Sequence, residues 1–214
     1  MSPAALSVDN FSLMRGQLLL CHQWQMRLQA GQCVHLAGAN GCGKTSFFQA
    51  VTGLLQPEQG DVYWHGQALA KAGNAVRRQW HYCTHDNALK EALSVTENAL
   101  LAARLCGVSV TDNFLEEALQ EMQLVFLADT PVLQLSQGQK RRASLLRLKL
   151  VPRPVWLLDE PFNALDEAGR HQLAHWMNRH CEKGGSVLFT SHFAWPGHLK
   201  VNHQVVFGKP GGEA

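Results

Sequence analysis

The chain has 214 residues, enough for one domain with room for an inserted subdomain. Hydrophobic residues make up 46% and charged residues 17%, the balance of a globular protein with a real core. A formal net charge of +2 gives no electrostatic basis for binding nucleic acid or anionic lipid. Lys140, Arg141 and Arg142 form the one basic cluster, and a solvated helix face accounts for it. The cysteines, at Cys21, Cys33, Cys42, Cys83, Cys106 and Cys181, include no C-x-x-C pair. That spacing argues against a zinc ribbon or disulfide scaffold and for reduced thiols in the cytoplasm. "MSPAALSVDN" lacks the basic start and apolar stretch of a signal peptide. No apolar run approaches the ~18–20 residues needed to cross a bilayer, so membrane contact is expected only through a partner.

Taken in chain order, the first thirty residues carry short apolar stretches, with Met26 and Leu28 in alternation, which predict strands joined by tight turns. The apolar strand Cys33–Ala37 runs into "GANGCGKT", a full match to G-x-x-x-x-G-K-[ST]. Glycines let the backbone of Gly38, Ala39, Asn40, Gly41, Cys42 and Gly43 wrap closely, so that its N–H groups and the following helix N-terminus face phosphates. Lys44 is placed to bridge terminal phosphates and the Thr45 hydroxyl to coordinate Mg²⁺, with Cys42 a spacer. Residues 44–55 put Phe47, Phe48, Val51, Leu54 and Leu55 at helical spacing. Pro57 and Gly60 mark a turn before the strand "DVYWHG". In "HYCTHDNALK", His81, Cys83 and His85 all carry donors that metals and heme iron accept.

Leu93 to about Leu127 reads as mostly helical, most clearly in "FLEEALQEMQLV". "LSQGQ" opens a helix over Gly138–Val151, ended by Pro152 and Pro154. Ser136 and Gln139 fit a capping box, yet Ser and Gly at a helix start also form an anion cradle, a second one beside Lys44. "VWLLDE" is an apolar strand ending in two carboxylates: Asp159 is positioned to hold Mg²⁺ opposite Thr45, and Glu160 to polarise the attacking water. A helix about 167–181 and the strand "SVLFTS" follow, leaving His192 at a strand tip within reach of the γ-phosphate or the water. Strands alternating with helices argue for an α/β core with a parallel sheet.

"GANGCGKT", "LSQGQ", "WLLDEPFNALD" and "TSH", in this order, resemble the motif set of ABC-type ATPases, with Gln137 replacing a glycine of the family's L-S-G-G-Q. The resemblance spans essentially the whole chain. It implies a P-loop NTPase (RecA-like) core with a parallel sheet, covering 1–84 and 152–214. It also implies an N-terminal antiparallel β subdomain and an inserted helical subdomain about 85–151. Two ATP-binding subunits of that family meet head to tail, so Leu135, Ser136, Gln137, Gly138 and Gln139 would complete the site of a partner copy. Asp166 in "NALD" matches the loop that communicates across such a dimer. His85 falls where the family carries a glutamine that touches Mg²⁺ and the attacking water, in the loop coupling nucleotide state to a membrane partner; Asp86 beside it is the alternative. Where the family places an aromatic that stacks on adenine, Arg15 precedes Gly16, and a guanidinium also stacks on a purine.

Longer stretches, "TGLLQPEQGDVYWHGQAL", "THDNALKEALSVTENAL", "QLSQGQKRRASLLRL" and "DEPFNALDEAG", resemble the ATP-binding subunits of the cytochrome c maturation (heme exporter) system. That resemblance implies ATP and Mg²⁺ as ligands and a place on the cytoplasmic face of the bacterial inner membrane. Its implied partners are an integral membrane transporter subunit and further heme-handling membrane proteins. Two other readings remain open on the sequence: an ATPase serving another small-molecule exporter or importer, and a heme- or metal-binding module using His81, Cys83 and His85, with His171 and His175 on one helix face.

Overall fold

The computed structural model describes residues 5–71, 76 and 78–208. The chain begins as two long strands, β1 (Leu6–Arg15) and β2 (Leu18–Leu28), reversed at Gly16 in the left-handed region (φ 61°). Strand β3 (Cys33–Ala37) leads into helix α1 (Lys44–Val51), and β4 (Gln59–Trp64) and β5 (Gln67–Ala68) follow. Next come β6 (Trp80–Cys83), α2 (Val95–Leu105), α3 (Asp112–Glu121) and, after two single 3₁₀ turns, α4 (Gln137–Leu150). The last elements are β7 (Val155–Leu158), α5 (Glu167–Glu182), β8 (Ser186–Phe189) and β9 (His203–Val206).

The strands sort into two sheets. An antiparallel sheet has the order β2-β1-β4-β5, and a parallel sheet the order β6-β7-β8-β3-β9. β2 alternates buried Trp24, Met26 and Leu28 with exposed polar neighbours, because one face of its sheet meets solvent. β7 and β8 are buried at every position, because the parallel sheet is covered on both faces. Residue period 2 then splits them: Val155, Leu157 and Leu188 face Phe11, Trp24, Phe47 and Phe48, whereas Leu158, Val187 and Phe189 face the core formed with α2–α5. Trp64 of β4 stacks on Trp80 of β6 at 4.4 Å, joining the two sheets. Since β3, β7 and β8 are parallel, the phosphate loop, the Asp159–Glu160 pair and His192 leave the sheet from one carboxyl edge.

The helices have local causes. Ser94 and Glu97 form a reciprocal capping box that starts α2, Thr111 caps α3, and Asp166 caps α5 through the Gly169 amide. α4 stops at Leu150, before Pro152, as its sequence predicts.

Two expectations are corrected, and a third holds. The helix at 44–55 ends at Val51: Gly53 turns left-handed (φ 77°), the Leu54 amide bonds back to the Gln49 carbonyl, and Leu54 projects into solvent. The segment Leu93–Leu127 is mostly helical as expected, divided into two helices and a 3₁₀ turn with a break at Gly107 (φ 72°). The basic cluster is not a solvated face. Arg141 is 3% exposed, and the side chains of Lys140 and Arg142 retain only 16% and 11% of their accessible area. No helix among the described residues is long and apolar enough to cross a membrane.

Candidate active site

The phosphate loop is shaped by glycine. Gly43 is left-handed (φ 112°), and a Cβ there would lie 2.9 Å from Leu20 Cδ1, which places the start of β2 against the loop. Helix α1 begins at once with no side-chain cap and no acidic residue in its first turn. Its leading N–H groups therefore face outward as anion donors. Lys44 is buried, and its Nζ donates to the carbonyls of Gly38 (2.7 Å) and Ala39 (3.0 Å). A phosphate chain fits this cradle, because Lys44 then exchanges two carbonyls for stronger anionic acceptors.

Across from the loop, the buried Asp159 at the tip of β7 accepts from two hydroxyls. Thr45 Oγ1 donates to Oδ2 at 2.6 Å and Thr190 Oγ1 to Oδ1 at 2.8 Å. Hydroxyl and carboxylate oxygens side by side suit a hard divalent cation of the Mg²⁺ type. The same Thr190 hydroxyl accepts the Glu160 backbone N–H at 2.9 Å. Glu160 sits at φ 50°, a conformation that costs a non-glycine residue about 1–3 kcal/mol and persists only where its surroundings hold it. Its carboxylate accepts from the His192 amide at Oε2 (3.2 Å). Oε1 lies 3.2 Å from His192 Nε2 without hydrogen-bond alignment, and so is buried with no donor among the described residues. A buried carboxylate oxygen with an unused lone pair, beside a phosphate cradle, is poised to accept a proton from water. The structure thus brings Lys44, Thr45, Asp159, Glu160 and His192 to one edge, as their positions after parallel strands required.

At the start of α4, Ser136 Oγ accepts from the Gln139 amide (3.3 Å) and Gln139 Oε1 from the Ser136 amide (2.9 Å). The capping box is real, and Ser136 and Gln137 nonetheless stay exposed at the helix tip, with Gln139 partly exposed. A Cβ on Gly138 would lie 2.9 Å from the Ala164 carbonyl, so this helix start packs on the "NALD" turn. Arg142 pairs with Asp166 there, and this contact, with the Gly169 amide, holds the Asp166 carboxyl below the usual carboxylate range. Arg15 is exposed at the end of β1, and His85 and Asp86 are exposed in the loop after β6.

The donors of "HYCTHDNALK" are not brought together. His81 is buried on β6 and its Nε2 donates to the Val151 carbonyl at 2.8 Å, with burial pulling its pKa down to about 4. Cys83 is buried farther along the same strand, while His85 faces solvent. His171 and His175 are exposed on α5, and no cluster of three metal-ligating side chains occurs among the described residues.

Sequence reasoning missed three side chains. Thr190 ties Asp159 to Glu160, and its one sequence signal was its place directly before "SH". Arg141 reaches the carboxylate turn from α4. His35 of β3, half-enclosed by Phe189 and Trp195, donates from Nε2 to the Ser191 carbonyl (3.3 Å) just before His192, and burial holds its pKa below the ordinary histidine value.

A family model described as ABC transporter matches residues 21–163. A protein of Dechloromonas aromatica (strain RCB) named cytochrome c biogenesis ATP-binding export protein CcmA is 39% identical over 187 residues, covering 87% of this chain and 92% of that protein. A protein of the same name from Pseudomonas aeruginosa is 40% identical over 178 residues, covering 83% and 88%. A solved structure described as the ATP-binding subunit of an ABC transporter is similar with a TM-score of 0.86 at 27% identity, covering 95% of this chain and 86% of that one. With these likenesses and a phosphate cradle facing a paired-carboxylate strand tip, the chain belongs to the ABC transporter family, as one of its ATP-hydrolysing subunits.

Proposed function

We propose that the chain is the ATP-hydrolysing subunit of an ABC-type membrane complex in c-type cytochrome biogenesis, energising heme handling or release of a heme-loaded carrier. The carrying observation for hydrolysis is the buried, unpartnered Glu160 Oε1 beside Asp159 and the phosphate loop. The pathway assignment is supported by relatives near 40% identity over more than four fifths of both chains, each named for cytochrome c biogenesis.

In this reading Lys44 and the N–H groups of the loop hold the terminal phosphates of ATP, and Arg15 stacks on the base. Thr45 and Asp159 hold Mg²⁺, which when bound neutralises phosphate charge as it develops. Glu160 takes a proton from the attacking water, whose oxygen forms the new bond to phosphorus as ADP leaves. His192, against Glu160, keeps that carboxylate in place and donates toward the terminal phosphate. The Leu135–Gln139 segment acts on the site of a second copy in a head-to-tail homodimer: its exposed helix start is a cradle that the chain's own nucleotide does not use. Asp166 communicates across that dimer. The loop at His85 and Asp86 senses nucleotide and meets an integral membrane subunit. Beside it runs a groove of about 280 Å³ lined by Asn87, Leu89, Leu101, Leu105 and Arg147, which offers an apolar seat for such a subunit. The chain would lie peripherally on the cytoplasmic face of the inner membrane.

A strain lacking the chain is the test. It should lose heme-stained c-type cytochromes, recover them with the wild-type chain and not with Glu160→Gln. Purified Glu160→Gln, assayed with its membrane partner, should keep ATP binding and lose roughly 10²–10³-fold in turnover. Normal cytochromes in the deletion strain would refute the pathway, and undiminished hydrolysis the role of Glu160.

A further inference from the structure

Arg141, one turn into α4 and 3% exposed, is a buried cation with no direct carboxylate partner among the described residues. Its guanidinium is instead ringed by backbone carbonyls. Nη1 donates to Thr84 at 2.7 Å and Nη2 to Glu160 at 2.9 Å, with longer contacts of 3.4 Å from Nη2 to Asp159 and from Nε to Pro161. A desolvated charge survives only when its donors are satisfied, and the planar fork of arginine is the side chain that serves acceptors in several directions at once.

Those carbonyls belong to two segments. Thr84 opens the loop that carries His85 and Asp86, and its own hydroxyl shapes that loop by donating to the Asp86 carbonyl at 3.0 Å. Asp159, Glu160 and Pro161 form the carboxylate turn. Within the turn Glu160 holds a left-handed backbone against its preference, anchored on one side by Thr190 at its N–H and on the other by Arg141 at its carbonyl. The Asn163 amide adds a local bond to that carbonyl at 3.2 Å. One guanidinium therefore spans the loop and the backbone at Glu160 from the start of α4.

We propose that Arg141 is a positioning residue that couples the loop at 84–90 to Glu160. Its fork fixes the Thr84 and Glu160 carbonyls relative to each other, so a displacement of the loop by whatever docks on it is delivered to the carboxylate. The inference rests on Glu160 acting as the base.

The test uses the full chain with Arg141→Gln and Arg141→Lys. Glutamine removes the charge and shortens the fork; lysine keeps the charge as a point that cannot bridge both segments. In each, kcat should fall roughly 10–100-fold, as misplacement of a reacting group does, while KM for ATP stays within about twofold because the Lys44 cradle is untouched. Hydrogen exchange should quicken roughly tenfold or more in peptides covering 84–90 and 159–163 and stay unchanged over β8 and β9. If the glutamine variant does not accumulate folded, the lysine variant supplies both readouts. Unchanged kcat, or exchange that rises evenly through the chain, overturns the proposal. Undiminished turnover in Glu160→Gln would instead remove the base, and the exchange pattern at 84–90 would still decide the clamp.

Discussion

Thr190→Val removes one hydroxyl and keeps the shape of the side chain. That hydroxyl gives a charge-assisted bond to Asp159 (2.8 Å) and takes the Glu160 N–H (2.9 Å), at a position with no solvent access. A bond to a charged group contributes about 1.5–3 kcal/mol and a neutral one about 0.5–1.5, and valine leaves both partners buried without replacement. The expected loss is about 3 kcal/mol, which for a chain of this size lowers Tm by roughly 6–12 °C. Because Glu160 then keeps its strained backbone with one anchor fewer, kcat should fall roughly 10–100-fold with little change in ATP affinity. Thermal unfolding followed by circular dichroism and steady-state phosphate release measure the two effects. Thr190→Ser, which keeps the hydroxyl, should recover most of the turnover. A valine variant with wild-type Tm and kcat would refute the assignment of Thr190 as the tie between the carboxylates.

Burial depresses the pKa of His81 from its ordinary 6.5 to about 4, so between those pH values the unfolded chain binds a proton that the folded chain does not. Stability is full above pH 6.5 and declines by about 3 kcal/mol as pH falls toward 4; His81→Gln should flatten that decline by about one proton in urea titrations across the window. His180, stacked on Trp156 and likewise depressed to about 4 by burial, should leave part of the decline in place. Gly138→Ala drives a Cβ to 2.9 Å from the Ala164 carbonyl, a backbone atom that cannot swing away. It should destabilise by about 1–3 kcal/mol and reduce turnover through the "NALD" turn, read by denaturant midpoint and phosphate release.

The phosphate loop, the Asp159–Glu160 pair and the start of α4 were legible in the sequence because each depends on contiguous residues. Successive backbone N–H groups make an anion cradle, an apolar strand buried on both faces ends where its carboxylates begin, and a capping box closes within four residues. The α/β core with its parallel sheet was legible for a related reason, since strand and helix periods are local. The separate antiparallel sheet was implied only by the resemblance to ABC-type ATPases. Tertiary structure decided what depends on partners far along the chain. Lys140, Arg141 and Arg142 read as a solvated face in the sequence because the first and last pair with the distant carboxylates of Glu91 and Asp166, and Arg141 with the carbonyls of residues 84 and 159–161, which carry no letter. The donors of "HYCTHDNALK" resembled a ligand set only as letters. Folded, β6 turns His81 inward to the end of α4 and stops before His85, which the loop leaves in solvent. Contiguous chemistry can be read from the chain itself, whereas a buried charge is explained only by the carbonyls that the fold turns toward it.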